Sequence, residues 1–574
     1  MSAQRAQRSF GGEAATAKPS EKSVAPRIGL KELRTRCKAA FEHALHWRSL
    51  HEDAYRYAMP NRNLYTTTQP GAKKNDVVFD STAVASTVNG AARLKQDLMP
   101  SFKKFLKLAP GPMIPENLRE SMAEALDDVT DRMFAFVHAS NFDTSVDETL
   151  LDLFVGTGCM IVLEGDAWQQ SVFNHVPVPI IQVALEEGPW GGVSAIFRRH
   201  KLPVRNVTLQ WRDAKNLPPE WEQMRKTKPD TEVELEEATY FSIADDGSAA
   251  TAWHYDVIAC TSKDSDNARI VERTYKVNPW ITPRWYKLPG ETFGRGPIIM
   301  ALPDIKTLNK IVELILRNLA LYVSGVYTGV DDGVLNPNTA SIVPGSIIPV
   351  ASNGGARGPS LLALQRSGSF DLGKIEIEDL RMTVKRFLFD HGLPPESAQP
   401  RSATEFIERV KQIARETGSP FGRLHTELIV PLVRNWLEIM KRRGLIDPRI
   451  DVDGLGIQVQ VISPLAQEQN LSDVEVVVRW LTVLNALGSE LVMMTAKTEE
   501  LGKWIGEKLG VPNSLIRDKK ERNLIMDDIK KMAANEVAKA GGTNTIPIGA
   551  GVAPQSIQTS AAAAGVAPFS RMAA

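Results

Sequence analysis

Residues 297–323 read PIIMALPDIKTLNKIVELILRNLALYV, and the spacing within them decides the architecture. Ile305, Leu308, Val312, Ile315, Leu319 and Tyr322 follow one another at steps of 3, 4, 3, 4 and 3. Such a seam belongs to a helix packed lengthwise on a neighbouring helix. Lys306, Lys310, Glu313 and Arg317 fall together on the opposite face. At 1.5 Å per residue the helix would reach about 40 Å. A second helix is expected over residues 372–389, through Ile375, Ile377, Leu380, Val384, Phe387 and Leu388. Between the two lies a Gly/Pro/Asn-rich insertion with short β runs at 326–330 and 347–350. On these residues alone, the charged face is that of an ordinary amphipathic helix turned to water.

Towards the N-terminus, Leu30, Leu33, Cys37, Ala40, Phe41, Ala44 and Leu45 predict a helix over 28–59, which Pro60 ends. Further helices are expected over 81–99 and 115–140. From about 150 to 288 the pattern becomes β-rich, with runs at 159–163, 180–183, 193–197, 254–258 and 270–275 and a polar helix near 204–227. Towards the C-terminus, Ser402-Ala-Thr-Glu405 is a capping box that opens a helical stretch to about Arg443. Gly418, Pro420 and Pro431 predict breaks in it. Residues 451–462 alternate as a strand. Ser472-Asp-Val-Glu475 reads as a second capping box, and helices continue to about Lys539. Residues 1–27 and 541–574 have the composition of disordered tails. The basic first arm suits a contact with DNA or a neighbouring subunit as well as it suits plain solvation.

Lys+Arg and Asp+Glu are both 68 among 574 residues. A chain that grips DNA tightly carries a basic excess, so any DNA contact here is expected to be loose or local. No apolar run approaches the roughly 20 residues of a membrane span, and residues 1–27 hold no apolar leader, so synthesis in the cytosol is expected. Cys37, Cys159 and Cys260 are scattered and suggest neither a disulfide framework nor a zinc site. His43, His46 and His51 spread around their helix instead of sharing a face, and Asp451 and Asp453 are not continued into a calcium loop. No GxxxxGK[ST], HExxH or GxSxG is present; Gly454 and Gly456 supply two of the three glycines of a dinucleotide fingerprint. Glu186-Glu187 and Glu236-Glu237 read as solvated charges. Neither a metal, a cofactor nor an enzymatic activity is expected.

Several segments in order resemble the head-to-tail connector (portal) family of short-tailed bacteriophages. They are Trp47, Tyr57 and Met59-Pro-Asn-Arg62; Asp80-Ser-Thr-Ala83, then Leu98-Met-Pro100 and the run Phe102 to Leu108; and Asp152-Leu-Phe-Val-Gly-Thr-Gly158. Phe293-Gly-Arg-Gly-Pro297 then precedes Ala301-Leu-Pro-Asp-Ile-Lys-Thr-Leu-Asn309. Last come Ser402-Ala-Thr-Glu405 with Arg409, and Arg423-Leu424, Glu427-Leu428 and Pro431-Leu432. The likeness covers about residues 30–510 and departs from the family pattern at Phe293, where Tyr is usual, and at Ser402, where Met-Thr is.

The resemblance implies an α+β, mainly α portal fold that assembles as a ring, usually of twelve copies, around a central channel. It assigns residues 28–296 to a wing, 297–324 and 372–389 to two stem helices, and 325–371 to a clip. Residues 390–401 become a channel loop, 402–464 a wing helix and strand, and 465–540 a helical crown. It turns the charged stem face to the channel, where Lys306, Lys310 and Arg317 would form basic rings partly offset by Glu313. The loop residues His391, Gly392, Leu393, Pro394, Pro395 and Glu396 become either a gate or a connector buried between subunits. Asp331, Asp332, Asn336 and Asn338 become clip residues that dock the large terminase subunit and later a tail adaptor. Further implied partners are the major capsid protein, a scaffolding protein, internal virion proteins and double-stranded DNA, with no membrane. The implied location is the portal vertex of the virion. The residues alone leave open another virion structural protein or a DNA-processing enzyme.

Overall fold

The structure, a computed structural model, describes residues 25–65, 69, 71–165, 171–243, 251–261, 268–324, 327–329, 361–363, 370–390, 422–462, 464–487 and 494–508. Beyond these it describes the helical pairs 524–525, 527–528 and 531–532. Residues Met1–Asn513 form one unit and Ser514–Ala574 a second. Every element below belongs to the first.

Helix α1 (Leu30–Ala58) has two halves with different partners. Its first half lays Leu33, Cys37 and Ala40 on a five-stranded sheet. That sheet is an antiparallel meander of β4 (Val183–Glu187), β5 (Val193–Pro203), β6 (Glu232–Ile243), β7 (Thr251–Cys260) and β8 (Arg269–Tyr275). Ala184, Ala195 and Ala238 lie under the helix with Phe197, Tyr240 and Ile258. Small side chains on the period-two face let the helix approach closely. The segment before α1 is strapped to the same sheet. Arg27 pairs with the buried Asp256, and His254 Nε2 lies 3.0 Å from the carbonyl oxygen of Ala25.

The sheet corrects one expectation. Glu236 and Glu237 are not solvated: they are 6% and 2% exposed. Strand alternation sends them to opposite faces, and each face is covered. Glu236 accepts from Arg199 Nε at 2.7 Å, while Glu237 accepts from Arg198 at 3.1 Å and from the Tyr255 hydroxyl at 2.8 Å. Their desolvation is offset by charged donors on the neighbouring strands.

Helices α2 (Thr82–Leu98), α3 (Glu116–His138) and α4 (Phe142–Val155) pack with the second half of α1 around the main core. The strand β1 (Leu106–Pro110) pairs with β12 (Ile457–Val461), some 350 residues later, and β2 (Met160–Glu164) lies between β3 (Phe173–Pro177) and β9 (Trp280–Ile281). The expected helix near 204–227 is two: α5 (Val204–Gln210) and α6 (Pro219–Thr227). The run 180–183 opens as a 3₁₀ turn before β4.

Two glycine motifs of the sequence prove to be one crossing. A Cβ on Gly156 would overlap the carbonyl oxygen of Gly294, and one on Gly296 would overlap that of Phe154. The backbones are tied by Trp285 N to Gly156 O (2.9 Å), Gly296 N to Val155 O (2.8 Å) and Gly294 N to Thr157 Oγ1 (2.8 Å). In the same motif Asp152 is 3% exposed and accepts from Tyr55 Oη (2.9 Å) and from Arg62 Nη2 (2.9 Å). Burial raises the Asp152 carboxyl above the ordinary carboxylate value, against the pull of Arg62.

Helix α7 (Pro297–Ser324) and α8 (Phe370–Phe387) match the two helices expected at the start. Of the insertion between them, Tyr327–Gly329 pairs antiparallel with Leu361–Ala363, as strands β10 and β11. The run 347–350 lies outside the described residues, as does the box at 402–405. The helical stretch expected after that box is described from Gly422; its turns at His425–Ile429 are π-helical, and α9 (Val430–Arg442) follows with Pro431 in its first turn. Helix α10 (Pro464–Leu487) runs straight through Ser472, so that residue is not a cap. The apolar positions Val474, Val477, Leu481 and Leu484 carry the helical period across it. A shorter helix, α11 (Thr498–Lys508), packs on α10.

Candidate functional site

The feature of the fold built from the deciding stretch is the α7–α8 pair and its seat on α1 and α2. Asp80 is the keystone. Its Oδ1 accepts from Thr82 N at 2.9 Å, at the start of α2, and its Oδ2 accepts from Arg381 Nη2 (2.7 Å) and Nε (3.0 Å) on α8. Burial alone would raise the Asp80 carboxyl; the hydrogen bonds from Thr82 and Arg381 outweigh it and hold the group below its ordinary value of 3.8. From α7, Asn309 Oδ1 accepts from Phe79 N (2.7 Å) and Asp80 N (3.3 Å), and its Nδ2 donates to Val77 O (2.9 Å). Asn309 of α7 and Arg381 of α8 thus anchor both helices on the segment just before α2.

The end of α8 is fixed to α2 by a second set. Gly90 lets the carbonyl of Leu388 approach, since a Cβ there would overlap it. Phe389 takes a left-handed conformation (φ 56°), and its carbonyl accepts from Arg93 at 3.4 Å. Asp390 then accepts from Ser86 Oγ at 2.9 Å. The chain therefore leaves the helix pair at a defined point.

The candidate basic residues have different surroundings. Lys306 pairs with Asp53 on α1 and lies 5.7 Å from the centre of the Tyr57 ring. Lys310 (3.0 Å) and Arg317 (2.5 Å) both pair with Glu313 on their own helix, and their side chains are 61% and 70% exposed. Lysine and arginine spaced three and four from one glutamate share its face. Asp331, Asp332, Asn336 and Asn338 lie outside the described residues, as do the loop residues His391, Gly392, Leu393, Pro394, Pro395 and Glu396.

The apolar positions change environment along α7. Ile305 and Leu308 of the seam are buried, whereas Leu319 of the seam is 47% exposed, as are Leu316 beside it (47%) and Leu314 on the charged face (48%). On α8, Val384 and Leu388 are buried, whereas Met382 is 63% and Phe387 39% exposed. The pair is packed at its seat and carries uncovered apolar side chains away from it.

Sequence reasoning singled out Asp80 and Asn309 within motifs but not Arg381, Asp53, Ser86 or Asp390. Asn309 carried a signal of its own, a polar residue beside the apolar seam, buried to 7% exposure. The others are ordinary surface-type residues whose partners lie 253–304 positions away. Among the described residues no group of three or more His, Cys, Asp or Glu could hold a metal ion, and no helix is long and apolar enough to cross a membrane.

The family described as bacteriophage head to tail connecting protein matches residues 30–516. The probable portal protein of Bordetella phage BPP-1 is 26% identical over 210 residues, 34% of this chain and 36% of that protein. The portal protein of Enterobacteria phage T3 is 20% identical over 296 residues, 50% of this chain and 53% of that one. These matches span about a third to a half of the length of the relatives. Among solved structures, a chain of the virion of a native gene transfer agent particle aligns with a TM-score of 0.33 at 10% identity, over 77% of this chain and 94% of that one. A chain from the neck of the empty particle aligns with a TM-score of 0.35 at 12% identity, over 77% and 95%.

Proposed function

The chain belongs to the family of bacteriophage head to tail connecting proteins, and on that premise we propose that it is the subunit of a portal ring. The ring sits at one vertex of the capsid and serves as the conduit for double-stranded DNA during packaging and ejection. The observation that carries this reading is the uncovered apolar part of the α7–α8 pair. Leu316, Leu319 and Met382 are about half exposed in a single chain, and covering the rest of each side chain is worth on the order of 1 kcal/mol. Neighbouring copies around a closed axis supply that cover.

In this reading α7 and α8 are the stem, and the face carrying Lys310, Glu313 and Arg317 looks into the channel. Two exposed cations clasping one carboxylate make a weakly positive wall. Such a wall guides phosphates without the strong counterion-release binding that would stall sliding DNA. Lys306, tied to Asp53, serves the seat of the stem more than the wall. The insertion 325–371 is the clip that docks the terminase motor and then the tail adaptor, and the loop 390–401 narrows the bore. The wing meets the capsid and scaffolding proteins, and the C-terminal helices form the crown. The ring would be a passive conduit, with ATP hydrolysis left to the terminase.

Negative-stain electron microscopy of the purified chain, after light scattering, tests this directly. Closed rings of about a dozen copies with a central hole are expected. A monomer that persists across protein and salt concentration overturns the proposal, as does DNA cleavage or ATP turnover by the pure chain.

A further inference from the structure

A cavity of about 520 Å³ lies where the β4–β5 turn, the segment 284–287 and the helical stretch that begins at Gly422 meet. Its lining includes Arg284, Lys287, Arg423 and Glu427, with Gly191, Gly192 and Gly422 among the walls. Three cations thus face one carboxylate.

That carboxylate is fully used. Glu427 Oε2 accepts from Arg284 N (3.0 Å) and Nε (3.1 Å), and its Oε1 accepts from Arg284 Nη2 (2.8 Å) and Arg423 Nη1 (3.3 Å). Arg284, whose side chain is 4% exposed, also donates to the carbonyls of Thr292 and Gly191. The Arg284–Glu427 pair is therefore a closed floor. Donors remain above it. Arg423 makes one long bond to Glu427, which leaves its Nε and Nη2 without a partner among the described residues. Lys287 pairs with Glu187 beside Gly191 and donates to Gly191 O at 3.0 Å, which leaves its third N–H. The glycines keep the space open: a Cβ on Gly191, at φ 80°, would lie 2.7 Å from Lys287 Nζ, and Cβ atoms on Gly192 and Gly422 would meet nothing within 4 Å. The one carboxylate in the lining is satisfied and cationic donors are in reserve, with the Thr426 hydroxyl the other polar side chain there, a balance that disfavours a metal ion and offers little to an apolar ligand.

We propose that this cavity is a binding site for a phosphate-type oxyanion, held by Arg423 and Lys287 over the Arg284–Glu427 floor. A guanidinium fork and an ammonium are the groups suited to phosphate oxygens. The phosphate is either a free inorganic anion or a phosphodiester of nucleic acid. The site does not depend on ring formation, and its test does not depend on the proposed function.

Isothermal titration of the full-length protein with inorganic pyrophosphate, and separately with a short DNA duplex at matched ionic strength, decides it. Binding of at least one probe is expected. Arg423→Gln should weaken it at least tenfold by removing donors. Gly192→Asp should do the same by placing a fixed carboxylate in the cavity mouth, at a position where a Cβ meets no neighbour. Pyrophosphate binding lost in both variants assigns a free anion, and duplex binding lost in both assigns a phosphodiester. Absence of binding by either probe, or binding to these variants as tight as to the parent, overturns the proposal. Unliganded thermal midpoints within a few degrees of the parent show that the variants are folded.

Discussion

Asp80 shows how one side chain fixes the geometry of two helices. Its carboxylate is shared between the first turn of α2 and Arg381 of α8. Arg381→Met removes two charge-assisted bonds from a carboxylate that stays buried, and should cost about 1–2 kcal/mol, since Arg381 is 43% exposed. The loss has a defined pH dependence. A carboxyl held below its ordinary value contributes stability above that value and loses it as pH falls through the lowered one. The gap in thermal midpoint between parent and Arg381→Met should therefore be full at pH 6–8 and close below about pH 4, as scanning calorimetry across pH would read. Gly156 makes the complementary point without charge. Gly156→Ala places a methyl group against the carbonyl oxygen of Gly294 and should destabilise by about 2–3 kcal/mol, measurable by denaturant melts. Gly192→Ala, with open space at its Cβ, should stay within about 0.5 kcal/mol of the parent.

The helices and strands differ in how well their sequences announce them. Helices α1, α2, α3, α7 and α8 follow a 3.6-residue apolar period and fall close to where that period places them. Helix α4 escapes because it is apolar on most sides: Phe142, Val146, Leu150, Leu153, Phe154 and Val155 are all buried, so no stripe stands out. Strand β6 escapes for the opposite reason, since Glu232, Glu234, Glu236 and Glu237 look like a solvated run until the neighbouring strand β5 supplies Arg198 to Glu237 and Arg199 to Glu236. Helices α7 and α8, the proposed stem, carry a prediction of their own. Leu316→Asp and Leu319→Asp change side chains that are about half exposed in the single chain, so the fold of each subunit should keep its stability within about 0.5 kcal/mol. Ring assembly, read by light scattering, should fail in both.

For the molecule as a whole, the two long helices α7 and α8 and the glycine-rich insertion between them were legible in the chain, and the family likeness rests on motifs readable one by one. Apolar periodicity is a local property: each helix buries one stripe whatever covers it, so spacing alone reveals that a stripe exists. The breaking residues are local too, because Pro60 and the glycine-rich insertion after Ser324 act through their own backbone. The motifs gave no sign of being each other's partners. Tertiary structure brought Asp152 to Arg62, Gly156 to Gly294, Asp80 to Arg381 and Arg284 to Glu427, pairs 90 to 301 residues apart. It also decided that Glu236 and Glu237 are buried and that Lys306 is tied to Asp53. A charge or a glycine acquires its role from whatever the fold places within a few ångströms, and no local pattern of residues states that distance.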